Sequence, residues 1–277
     1  MTKSGRAPVG AEEYCSGGGV VWTRRVSDLE TPVSALIKLG ADKPGSFLLE
    51  SVQGGDFRGR YSIIGVKPDL VWRVKDGRAE ISRGRFDDAA FRPQRDAPLK
   101  SLRKLLAQSK LELPASLPPM AAGLFGYLGY DMVRFVERLP DKTPNPVGAP
   151  DALLVRPTIV AVFDNVTSEI TLVTPARVRG GQSETQAYEA ARVRLEKVWR
   201  ALARALPRSA EAPKPPAEAL EPRSNTTPEE YRSLVEKCKA YARAGDVFQV
   251  VPSQRFSAPF SPSPFALYRS LRRLNPS

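Results

Sequence analysis

The side chains that most often do enzymatic chemistry are sparse in this chain of 277 residues, and the commonest of them is missing: there is no histidine. That removes the usual general base and metal ligand, and with them any Ser-His-Asp or Cys-His nucleophile within these residues. The thiols are Cys15 and Cys238 alone, one in a polar tail and one in a predicted helix. They supply neither a disulfide framework nor a zinc site, and they point to a reducing, cytoplasmic compartment. Gly123, Gly126 and Gly129 are spaced like the glycines of a phosphate-cradling loop. Phe125, Tyr127, Leu128 and Tyr130 fill the gaps, however, and no Lys-Ser/Thr pair or G-x-G fingerprint follows. Close backbone packing or bulges in a strand explain the series better. Gln249, Ser253 and Gln254 alternate with apolar Phe248 and Val250, as on a strand with one polar face. Gln254 or Arg255 facing an active site and a satisfied structural amide both fit that pattern, the second being the commoner role. Glu50 and Ser51 follow an apolar run and precede Gly54-Gly55. By themselves they read as the end of a strand and the start of a turn.

The bulk properties exclude several classes. The formal charge is +12, yet Arg is spread from Arg6 to Arg273 and not gathered into a stripe with stacking aromatics, so no nucleic-acid partner is expected. The denser run Arg192, Arg194, Lys197, Arg200, Arg204, Arg208 has helical spacing beside an apolar face and reads as a solvated helix surface. No apolar run approaches the ~20 residues of a membrane span. Met1 to Gly19 is polar and Gly-rich, without the apolar h-region of a secretory signal.

The elements that must position any site follow from punctuation and period. Val20-Val21-Trp22 reads as a strand; Thr31-Pro32 caps a helix that Gly40 closes. Ser46–Ser51 and Tyr61–Val66 are short strands, and Leu70–Val74 with Arg78–Ile81 flank Asp76-Gly77, a tight-hairpin signal. Pro98–Gln108 is an amphipathic helix, and Thr158–Phe163 pairs with Glu169–Val173 across a turn near Asp164-Asn165. A long helix covers residues 184–206. The expected class is therefore α+β, with antiparallel sheets and interspersed helices. The organisation is a tail at 1–27, a larger N-terminal domain at 28–206, a Pro-rich linker at 207–226 and the incomplete start of a second domain at 227–277. In that last part Thr227-Pro228-Glu229-Glu230 is a capping box whose helix buries Tyr231, Leu234, Val235, Cys238 and Tyr241. Val247–Val251 is a strand, and Ser263-Pro264 opens a last helix. The chain stops at Asn275-Pro276-Ser277 on a turn signal, and the natural protein is expected to continue beyond it.

Five stretches, in order, resemble the large-subunit family of anthranilate synthase (component I). They are Phe47-Leu48-Leu49-Glu50-Ser51, Gly59-Arg60-Tyr61-Ser62-Ile63-Ile64-Gly65, Gly123 to Asp131, Gly245 to Phe256, and Tyr268 to Ser277. The resemblance runs from about residue 28 to the end. It implies conversion of chorismate and ammonia to anthranilate and pyruvate in tryptophan biosynthesis. It also implies Mg²⁺, a glutamine amidotransferase partner (component II) that supplies the ammonia, feedback inhibition by tryptophan, and an assembly of two large and two small subunits. Mg²⁺ takes hard oxygen ligands. In this family the carboxylates that provide them and the acid–base residues lie in the later part of the chorismate-binding domain, beyond Ser277. No catalytic or metal residue is therefore assigned within the chain.

The resemblance places half of the regulatory pocket here. A free amino acid needs an acceptor for its ammonium, donors for its carboxylate and an apolar slot. Glu50 and Ser51 offer the acceptor and a two-way hydroxyl. The implied tryptophan contacts are Leu49, Glu50, Ser51, Arg60, Asn275, Pro276 and Ser277, with an exposed ion pair as the alternative role for Arg60. Aminodeoxychorismate synthase component I is the nearest alternative; the Phe248-Gln249-Val250-Val251 run favours anthranilate synthase over it. A non-catalytic tryptophan-sensing module is the alternative from another class.

Overall fold

The computed structural model describes residues 13–14, 19–53, 57–140, 145, 147–178, 180–207 and 221–274, with the backbone alone at 13–14, 51–53 and 57–58. Cys15 and Asn275–Ser277 lie outside the described residues. The chain divides into two compact units, Met1–Ala210 with Arg269–Ser277, and Glu211–Tyr268.

The first unit contains β1 (Glu13–Tyr14), β2 (Val20–Val26), α1 (Pro32–Leu39), β3 (Phe47–Gln53), β4 (Phe57–Lys75), β5 (Arg78–Ser82), β6 (Arg92–Pro93), α2 (Pro98–Ser109), β7 (Phe125–Leu128), β8 (Ala152–Asp164), β9 (Glu169–Pro175) and α3 (Glu184–Leu202). Its strands form one sheet in the order β1-β2-β9-β8-β4-β5-β6, with β3 on β4 and β7 on β8. Every described pairing is antiparallel. The class is the α+β arrangement expected from the sequence.

Two long strands organise the sheet. The segments Tyr61–Val66 and Leu70–Val74, separate in the sequence reading, are one 19-residue strand, β4. Lys67-Pro68 is a bulge within it and no break. Lys67 takes φ 53°, and the register against β8 shifts between Pro68 and Leu70, so that Asp69 falls outside the ladder. Arg156 on β8 holds that residue through its side chain, donating to its carboxylate at 2.7 and 3.1 Å. A bulge of this kind absorbs a proline's missing N–H without ending the ladder.

Helix caps fix the layer on one face. Thr31 and Ser34 form a reciprocal capping box ahead of α1, and Gly40 closes that helix at φ 113°. Ser183 and Gln186 do the same for α3. Ala187, Ala191, Leu195, Val198 and Leu202 of α3 are buried, and the Trp199 indole donates to Thr23 Oγ1 at 2.6 Å. The neighbouring residue, Trp22, points to the other face, where Leu117 and Ala121 pack on Val20, Trp22 and Val173. Further along β4, Trp72 and Val74 are fully buried with Leu105 of α2. Phe47 and Phe125 stack at 4.7 Å.

The second unit contains β10 (Arg223–Ser224), α4 (Pro228–Ala244), β11 (Phe256–Ser257) and the opening of α5 (Pro264–Leu274). Thr227 and Glu230 form the expected capping box, and Gly245 closes α4 at φ 81°. Two expectations are corrected here. Val247–Val251 is not a strand: its residues have no ladder partner, and the two-stranded sheet of this unit is β10 with β11. The apolar face of α4 is not buried: Tyr231, Val235 and Cys238 are half-covered, and Leu234 and Tyr241 are exposed. Both corrections have one cause. A strand and an amphipathic face are stable only when something covers them, and neither is covered by the described residues of this unit. No helix among the described residues is long and apolar enough to cross a membrane.

Candidate functional site

Leu49, Glu50 and Ser51 sit on β3, which continues to Gln53 and so does not end at Ser51 as the sequence suggested. Leu49 pairs with Ile63 and Glu50 with Ser62, after which the register shifts before Val52 pairs with Arg58. Ser51 therefore lies at an irregularity of the β3–β4 pair. Its backbone is offered differently from that of a regular strand residue, as bulges near ligand sites commonly do.

Glu50 follows two leucines on this strand, and a carboxylate there needs a partner. Arg272 of α5 supplies it. Its Nε and one terminal nitrogen donate to the two carboxylate oxygens at 2.8 Å each. The side chains are 11% and 20% exposed, so the fork is largely withdrawn from water. This pair joins positions 222 residues apart and brings the strand of Leu49 and Glu50 to a point three residues before Asn275. Sequence reasoning missed Arg272, although a glutamate within an apolar strand was a signal that some cation had to meet it.

Leu49 is half-exposed and, by alternation along the strand, faces away from Glu50. Arg60 does not meet Glu50. It donates to Asp164 at 3.1 and 2.8 Å and lies 5.0 Å from the Tyr61 ring centre. Its side chain is 53% exposed, which matches the exposed ion pair that is the alternative role for this residue.

Asp164 does more than pair with Arg60. It also accepts from the Val166 and Thr167 amides, closing the turn between β8 and β9. Partial burial pushes its carboxyl up, but the Arg60 hydrogen bond, the Val166 amide, the Arg60 charge and the Thr167 amide together hold it below the usual aspartate range. A depressed native pKa gives stability that is present above the unfolded value and lost as pH falls through the native one. Acid unfolding should therefore steepen below about pH 4, and Asp164→Asn should flatten that limb. Identical acid limbs for the two proteins, measured by circular dichroism, would remove this contribution.

On the face of the sheet away from Glu50 lies a cleft of 400 Å³ between strands β2, β4, β8 and β9 and the segment Ala115–Met120. Arg24, Arg60, Asp164 and Glu169 are its charged lining; Tyr61, Met120 and Val162 are among its apolar walls. Among the described residues no group of three or more His, Cys, Asp or Glu side chains gathers where a metal ion could sit.

Comparison with known proteins agrees with this architecture. The profile of the family described as chorismate binding enzyme matches residues 47–277. The anthranilate synthase component 1 of Cereibacter sphaeroides is 52% identical over 259 residues, covering 93% of this chain and 52% of the relative. That of Pseudomonas aeruginosa is 40% identical, covering 91% and 51%. The crystal structure of anthranilate synthase component I from Streptococcus pneumoniae superposes with a TM-score of 0.62 at 25% identity, covering 91% of this chain and 52% of that one. The chain thus spans about half the length of the curated relatives it matches. With a profile match over most of its residues and a sheet that superposes on a solved relative, the chain belongs to the chorismate binding enzyme family.

Proposed function

We propose that this chain is part of the large subunit of an anthranilate synthase. That enzyme converts chorismate and ammonia to anthranilate and pyruvate in tryptophan biosynthesis, in the cytoplasm. The observation that carries the reading is the 52% identity to an anthranilate synthase component 1 across 93% of the chain. Ammonia would come from glutamine through a component II amidotransferase partner. Mg²⁺ would hold the substrate carboxylate and stabilise charge on the leaving oxygen. The described residues offer no cluster suited to the metal, and its ligands are expected beyond Ser277. The test is product identity: the native enzyme, given chorismate, ammonia and Mg²⁺, is expected to release fluorescent anthranilate. Release of aminodeoxychorismate would transfer the chain to aminodeoxychorismate synthase.

The regulatory part of the proposal concerns tryptophan. Leu49, Glu50, Ser51 and Arg60, with Asn275, Pro276 and Ser277, are the expected contacts. The Glu50–Arg272 fork supports convergence of the first group with the last, since Arg272 closely precedes Asn275. Arg60 is the weakest member, because Asp164 already engages its guanidinium. Ser51→Phe is expected to relieve inhibition of the native enzyme by tryptophan and to leave uninhibited turnover unchanged. Inhibition curves that superimpose would take Ser51 out of the site. Tryptophan binding by a native protein that forms no product from chorismate would favour the sensing-module reading.

A further inference from the structure

We infer that Arg272 is a positioning residue of the regulatory site: its guanidinium fixes the plane of the Glu50 carboxylate and so sets how well that carboxylate receives the ammonium of tryptophan. The inference rests on the tryptophan-regulated reading proposed above. Glu50 stands opposite the buried Ser62 of β4, and its own side chain is 11% exposed. Arg272 reaches it from a defined side of α5. Phe265, Tyr268 and Arg272, at i, i+3 and i+7, are among the half-covered residues of that helix and lie along one stripe. Arg273, the next residue, is exposed. Of the two arginines near the end of the helix, the one on the covered stripe meets the carboxylate.

Nε and one terminal nitrogen of Arg272 donate to different oxygens of Glu50, each at 2.8 Å. Such a two-pronged contact holds both oxygens in the guanidinium plane. A lysine would neutralise the same charge and leave the carboxylate free to turn about its last torsion. A carboxylate accepts at about four positions, so fixing one edge fixes the directions from which an ammonium can approach the remaining positions. An acceptor aligned before the ligand arrives also loses less conformational freedom on binding. The charges are compatible, since a zwitterion adds no net charge to a neutral ion pair and its ammonium need not displace the guanidinium. Arg60 offers no substitute, because its guanidinium is engaged by Asp164.

The experiment uses the native enzyme, assayed with chorismate, ammonia and Mg²⁺. Arg272→Met and Arg272→Lys are each expected to raise the tryptophan concentration for half-inhibition about tenfold, as a charge-assisted hydrogen bond loses its alignment. The Lys variant should do so despite its retained charge, and the KM for chorismate should move far less than the inhibition does. Two analogues, each measured by displacement of labelled tryptophan, separate orientation of Glu50 from a general loosening of the fold. Tryptamine keeps the ammonium and should weaken in the variants as tryptophan does. Indole-3-propionate lacks it and should bind native enzyme and variants within about twofold of each other, having no ammonium for Glu50 to receive. Full tryptophan sensitivity in Arg272→Lys would overturn the inference, because Arg272 would then be a counter-charge and nothing more. Equal losses for indole-3-propionate and tryptophan would overturn it too, leaving Arg272 as a structural tie. Arg272→Lys decides even if Arg272→Met fails to fold. A native enzyme indifferent to tryptophan would instead remove the regulatory reading, and this inference with it.

Discussion

Gly126→Ala is expected to destabilise the first unit by about 2–6 kcal/mol, from backbone strain and overpacking together. Gly126 lies in β7 opposite Leu154 with φ 152°, a conformation open to glycine and costly for alanine. A Cβ at this position would approach the Leu153 carbonyl oxygen far closer than 3.0 Å and would press on Leu154 backbone as well. Neither obstacle can rotate away, since both belong to the central strand β8. Gly123 provides the control. It has φ 144°, but a Cβ there would meet nothing within 4 Å, so Gly123→Ala should cost only the strain, about 1–3 kcal/mol. Because a unit of this size shifts by roughly 2–4 °C per kcal/mol, the two variants should separate clearly in a thermal melt. Equal melting temperatures would show that β7 yields and that close approach is not why glycine stands at residue 126.

The glycine series also illustrates what kind of information the sequence carried. The spacing of Gly123, Gly126 and Gly129 suggested backbone packing over phosphate binding, and the strand around Gly126 has the close approach that reading requires. Local punctuation was equally readable. Thr31-Pro32 and Gly40 bound α1 as expected, and Asp76-Gly77 takes positive φ at both residues of its hairpin turn. Less was legible where a distant residue decides. Lys67-Pro68 looked like a break because the residue that makes the bulge tolerable, Arg156, lies on another strand. Val247–Val251 had the composition of a strand, but composition does not provide a partner. The same limit applies to the sites. Leu49, Glu50 and Ser51 could be marked by resemblance alone, whereas Arg272 could not. Its meaning depends on a contact with a strand 222 residues away, and single-sequence periodicity says nothing about which elements are neighbours.

Removing either partner of the Glu50–Arg272 fork should have the second large effect, and the form of the result matters more than its size. A largely buried charge that loses its ion-pair partner costs up to about 3–5 kcal/mol, and less where water reaches one end, as it does at Arg272. Glu50→Leu and Arg272→Met should therefore each destabilise the protein substantially. The double variant should recover much of the loss, because an apolar pair of similar volume has no desolvation penalty to offset. Hydrogen exchange should locate the change: amides in the last turns of α5 should exchange faster in each single variant, since the fork ties Arg272 to β3. Additive losses would mean that the two side chains do not act as a unit, and unchanged exchange in α5 would mean that other contacts hold the helix. Coupling as expected would give Glu50 a structural duty besides any ligand it meets. It would then be unsafe to read loss of tryptophan inhibition in a Glu50 variant as loss of a direct contact. Ser51, which is neither partner of the fork, is the cleaner probe of the regulatory site.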